Sequence, residues 1–176
     1  STGQVAALSG NLVSNLTTDQ IKGLGASVAD FGLTSITALK SEQVGSITTS
    51  ALNAFTQSQI EAFDPIDFGS LSDKQISSLG SGFFSYVSND QIRAMSNSQT
   101  KALTKAQIGY LDEDQLNSIT ASNLGALSPY QLQGLASPQM KLLSAAQVGL
   151  LTTRQISSLS ASQISNLTNS SIGALD

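Results

Sequence analysis

Apolar residues recur along this chain at alternating spacings of three and five. Cut every eight residues from Ser72, the sequence reads SDKQISSL, GSGFFSYV, SNDQIRAM, SNSQTKAL, TKAQIGYL, DEDQLNSI, TASNLGAL, and onward in the same frame to Leu175. The frame also runs backwards to Gly32. There the seven-residue segment GASVADF (25–31) interrupts it, with three more octads before that, so the chain resolves into 22 repeats with Asp176 left over. With the positions labelled a to h, h is apolar in all 22 repeats, and e is apolar in every full octad except at Thr100. Position a is Ser, Thr or Asp in 17 repeats, d is Gln in 14, and g is mostly small, as at Ala7, Ala62 and Ala126.

This pattern excludes both continuous elements. Spacings of three and five average four residues per turn against 3.6 for an α-helix, so an apolar stripe would drift by about 80° per octad, and no partner could follow it. In a strand, e and h would face opposite sides of the sheet. Repeated short helices fit instead. In S/T-x-x-Q the first side chain caps the N3 amide of a new helix, and the glutamine reaches back to the N-cap amide. The residue before the cap packs on N4 as a hydrophobic staple. Here h of one repeat and e of the next are those two staple positions, as in Leu103-Thr104-Lys105-Ala106-Gln107-Ile108. On this reading Gln20, Gln43, Gln59, Gln75, Gln91, Gln107, Gln115, Gln131, Gln147, Gln155 and Gln163 are capping residues, each marking a helix start. Pro65 and Pro129 fall at b, the N1 site where proline is tolerated, and Pro138 falls at c, still within the first turn.

Helices of one and a half to two turns are unstable alone. Burying e and h contributes about 1.5–3 kcal/mol each, against a backbone ordering cost of about 1–2 kcal/mol per residue. Stability must therefore come from stacking many repeats. The predicted fold is an all-α solenoid of very short helices, one per octad, forming a single repeat domain over residues 1–176. Between Ser35 and Gln91, position d alternates between Gln (43, 59, 75, 91) and other residues (35, 51, 67, 83). That alternation suggests two octads per layer, a 16-residue helical hairpin, with three per layer as the alternative. Phe55, Phe63, Phe68, Phe83 and Phe84 cluster mid-chain and are expected to fill the core there.

The units LTTRQISSL, LSASQISNL and LTKAQIGYL resemble the "LTxxQIxxL" arrays of large bacterial secreted or surface proteins, often adhesin-like. LSPYQLQGL is also similar to repeats of the mesothelin and stereocilin group, whose extracellular parts form superhelices of short helices. The absence of cysteine and the strict octad depart from that group. Both resemblances imply an extracellular repeat module, and neither brings catalytic residues.

Composition narrows the chemistry. Lys and Arg total 8 against 12 Asp and Glu, a net charge of −4, and the basic residues stand singly, so there is no electrostatic footprint for nucleic acid. Cys, His and Trp are absent, which removes thiolate, imidazole and the usual zinc ligands. No apolar run approaches a membrane span. The acidic cluster Asp112-Glu113-Asp114 lacks the alternating oxygen ligands and glycine turn of a calcium loop, and it complements a helix start. The remaining carboxylates mostly occupy positions a to c, where they are capping or solvated.

A non-enzymatic structural module without cofactor or metal follows: a stalk, spacer or self-associating scaffold of a secreted or cell-surface bacterial protein. The first and last octads look like interior ones, so the expected partners are neighbouring repeats or further copies, end to end. The alternative is an adhesion module recognising a glycan, peptide or protein. Tyr86 and Tyr110, both at g and 24 residues apart, would share a face if layers hold three octads, whereas Tyr130 at c breaks that series.

Overall fold

The computed structural model describes residues 2–175, with side chains from residue 3. Among them lie α-helices of four to seven residues, one 3₁₀ segment at Gly25–Asp30, and no strand. The octad 72–79 shows the local logic. Ser72 is extended (φ −70°, ψ 156°) and its hydroxyl accepts from the N–H of Gln75, while Gln75 Oε1 accepts from the N–H of Ser72 at 2.8 Å. The helix Asp73–Ser78 follows, and the N–H of Leu79 closes its last turn on the carbonyl of Ile76 three residues back. Leu79 is itself extended (φ −70°, ψ 138°). Residues h and a together thus make a corner, and the chain leaves it into the next helix.

Positions d, e and h lie on one face of such a helix, because i,i+3 and i,i+4 neighbours share a side. That face is the interior: Ile76 is fully buried, as are Ile21, Ile36, Leu52, Ile108, Leu116 and Leu132. In the phenylalanine-rich stretch, Phe55 stacks on Phe63 at 5.5 Å and Phe68 on Phe83 at 6.5 Å, all four within the core.

The chain divides into two compact lobes, Ser1–Ala94 and Met95–Asp176. In the first, the helix Ser41–Val44 packs on Pro65–Phe68, which packs on Asn89–Ala94, and Leu33–Ile36 packs on Gln57–Glu61. In the second, Asn97–Ala102 packs on Ala121–Gly125, then Ala145–Gly149, then Asn169–Ile172. Each partner lies three octads along the chain. Each lobe is therefore an α-solenoid with three octads per layer, and the 16-residue hairpin suggested by the alternation at d does not form. Stacked every 24 residues, the alternating positions fall into columns: Ser35, Gln59, Phe83 in one, Gln43, Asp67, Gln91 in another. Between Ser35 and Gln91 the alternation thus places glutamine in every second layer of these two columns.

The seven-residue repeat is absorbed by a change of helix type. Gly25, the one residue with positive φ among those described (φ 55°, ψ −128°), opens the 3₁₀ segment Gly25–Asp30. A 3₁₀ turn rises about 2.0 Å per residue against 1.5 Å in an α-helix, so fewer residues cover the same edge.

Candidate functional site

The most regular polar feature is the glutamine at d, and it faces inward. Gln43, Gln59, Gln75, Gln91, Gln107, Gln115, Gln131, Gln147, Gln155 and Gln163 are all buried, whereas Gln20 is exposed. The side-chain oxygen accepts from the cap amide at Gln20 (2.8 Å), Gln43 (2.8 Å), Gln59 (2.8 Å), Gln91 (2.8 Å), Gln107 (2.7 Å) and Gln115 (3.1 Å). The same bond forms at Gln131 (2.8 Å), Gln147 (2.9 Å), Gln155 (2.6 Å) and Gln163 (3.0 Å). Gln99 and Gln139, omitted from the sequence-based set, make it too, at 2.8 and 2.6 Å. Before Gln43 and Gln139 the cap residues are Lys40 and Ala136. Neither has a side-chain acceptor, so only the glutamine half of the box exists there.

The glutamine's other end does something the octad alone does not reveal. Gln75 Nε2 donates to the carbonyls of Val44 (3.2 Å) and Ile47 (2.8 Å), positions e and h of the fourth octad back. Gln91 binds Ile60 and Phe63 (2.8 and 2.9 Å), Gln147 binds Leu116 and Ile119 (2.9 and 2.8 Å), and Gln163 binds Leu132 and Leu135 (3.2 and 2.9 Å). These carbonyls end a helix, where no intrahelical donor remains for the last of them. One amide therefore caps the start of its own helix and the end of a helix one layer away. For Gln43, whose span includes the seven-residue repeat, both separations shorten by one, to 30 (Val13) and 27 (Leu16). Asn123 donates to the carbonyl of Met95, Ser35 to that of Leu8 and Ser171 to that of Leu143, so these replacements at d keep the donor. A buried ladder engaged at both ends does not line a groove for a ligand.

Asp112, Glu113 and Asp114 are exposed. Asp112 Oδ1 accepts from the N–H of Gln115 at 2.8 Å as an N-cap, and the other two occupy the first turn. Among the described residues, no three His, Cys, Asp or Glu side chains converge on a point. No helix of the described residues is long and apolar enough to cross a membrane.

The surface feature that stands out lies in the second lobe. Tyr130 and Tyr110 are 67% and 59% exposed, and both border one shallow trough with Lys105, Ala106, Gly109 and Gly134. Tyr130, at position c, joins Tyr110, at position g, on this trough. The 24-residue layer sets the helix Pro129–Leu132 directly on Lys105–Gly109, bringing Tyr130 to Tyr110. Lys105 Nζ lies 5.1 Å from the centre of the Tyr130 ring. No family model matches this chain, and no curated protein is significantly similar to it.

Proposed function

We propose that this chain is a non-enzymatic structural repeat module, serving as a stalk, spacer or self-associating scaffold of a secreted or cell-surface bacterial protein. The observation that carries this reading is the Gln75–Ile47 type of bond, repeated in both lobes. Within each lobe, layers are joined to their neighbours by buried hydrogen bonds as well as by apolar contact, which favours a solenoid that keeps its form under load. The resemblance of LTTRQISSL and its neighbours to bacterial surface arrays supports the extracellular setting. Excision of residues 136–159, one layer, tests it by X-ray scattering and circular dichroism across a concentration series. The expected outcome is an unchanged helical spectrum per residue and a maximum dimension shorter by one helix spacing, about 8–10 Å. A compact, concentration-independent particle whose dimensions ignore the excision would overturn the scaffold reading.

A second reading, an adhesion module, is favoured by the exposed Tyr110 and Tyr130. Side chains this exposed contribute little to folding, and neither hydroxyl bonds within the protein.

A further inference from the structure

The two tyrosines stand on a floor that is mostly backbone. A Cβ at Gly134 would come within 2.4 Å of the Lys105 carbonyl oxygen, and one at Gly109 within 2.9 Å of that of Gly134. These two octads therefore approach main chain to main chain at Gly109 and Gly134, which line the trough beside the rings. The trough between them measures about 480 Å³. A second depression of about 790 Å³ shares Lys105, Ala106 and Tyr130, and adds Leu103, Ala126 and Lys101. Both are open to solvent.

The charged side chains that line the two depressions, Lys101 and Lys105, are both basic. No carboxylate lines either depression, and neither Lys101 nor Lys105 is paired with one. Arg154 occupies position c, like Tyr130, one layer further on in the same column, and is likewise unpaired. The cap hydroxyls of Thr104 and Ser128, which border the larger depression, accept from Gln107 and Gln131 and keep their own protons for donation.

We infer that this surface binds an anionic polysaccharide, with sugar rings stacked on Tyr130 and Tyr110 and a uronate carboxylate held by Lys101 and Lys105. The C–H face of a pyranose is weakly positive and suits the negative face of an aromatic ring. Two open depressions that share Tyr130 suit a chain that runs across them better than a small molecule that needs enclosure. An extended peptide has no sheet edge to join here, and two octads are too short a groove for an amphipathic helix. This inference rests on the adhesion reading and is independent of the scaffold reading.

Electrophoresis of the full chain through gels containing polygalacturonate, dextran or poly-glutamate tests it. Retardation by polygalacturonate is expected to exceed that by dextran or poly-glutamate. It should weaken at least tenfold in Tyr130→Ala and in Lys101→Gln/Lys105→Gln, each with an unchanged helical spectrum. Equal retardation by poly-glutamate would mean that charge alone suffices and would overturn the inference. So would an absence of retardation, or indifference to Tyr130→Ala. Because excision of residues 136–159 removes no trough residue, its scattering result tests the scaffold separately. A protein ligand whose binding is abolished by Tyr130→Ala, without polygalacturonate binding, would preserve adhesion while overturning the glycan.

Discussion

Gln75 Nε2 lies 2.8 Å from the carbonyl oxygen of Ile47, 28 residues earlier, while Oε1 of the same side chain holds the amide of Ser72. At neutral pH an amide can do both and a carboxylate cannot. Glutamate offers the acceptor but no donor, and methionine offers neither.

Replacing Gln75 with Met should therefore cost roughly 2–4 kcal/mol, since buried backbone groups are left unpaired at both ends. Gln20, exposed and bonded only to its own cap, is the control. Its Met variant should lose no more than about 1 kcal/mol. Urea unfolding of both variants measures the difference.

Gln75→Glu should be worse than Gln75→Met at neutral pH, because a buried carboxylate would face two carbonyls. Its folded-state pKa would be raised above the ordinary glutamate value of about 4.3. The protonated acid can donate, so the deficit should shrink as pH falls toward that value and grow as pH rises through the raised folded pKa. Unfolding free energies from pH 4 to 8, relative to the parent chain, would show the slope. A flat difference would mean that the side chain escapes to solvent.

Three glycines should respond differently to alanine. Gly134→Ala forces a Cβ against the Lys105 and Gln131 carbonyls (2.4 and 2.9 Å) and should cost roughly 1–3 kcal/mol by overpacking. Gly25→Ala meets no atom within 4 Å but inherits φ 55°, ψ −128°, a strain of about 1–3 kcal/mol. Gly82, inside the helix Ser81–Phe84 with open space around it, should gain about 0.5–1 kcal/mol as Ala. Thermal melts of the three variants rank them.

Deleting residues 144–151 should leave a folded chain. Gln155 then takes the place of Gln147 and meets the same carbonyls of Leu116 and Ile119. Deleting only 148–151 removes e to h of one octad and joins Gln147 to Thr152, so an N3 residue is followed directly by a cap. That variant should lose helical ellipticity beyond the residues removed, and amide exchange should locate the loss in the second lobe.

Thr100, the one polar residue at e, is 2% exposed, and its hydroxyl donates only back to the Ser96 carbonyl at 3.0 Å. That carbonyl already accepts from the backbone N–H of Thr100. Thr100→Val should therefore be neutral or stabilising by up to about 1 kcal/mol, read from the urea midpoint.

The local structure of a regular octad was legible in the sequence by itself, whereas the 3₁₀ segment Gly25–Asp30 was not. The cap at a, the glutamine at d, the staple from h to e and the prolines in the first turn are i,i+3 to i,i+5 relationships, so spacing alone specifies them. Thus Thr104, Gln107 and Ile108 could be placed before any coordinates. Tertiary structure alone decided what joins one layer to the next. An eight-residue period is equally compatible with two or three repeats per turn of the superhelix, and the alternation of Gln43 with Ala51 and Gln59 with Asp67 pointed to the smaller number. Three per layer became visible only in contacts 24 residues apart and in bonds 28 and 31 residues apart, such as Gln75 to Ile47 and Val44. The pairing of Tyr110 with Tyr130 follows from the same distance. It is invisible in the octad because g and c of one repeat do not meet, whereas g of one layer and c of the next do.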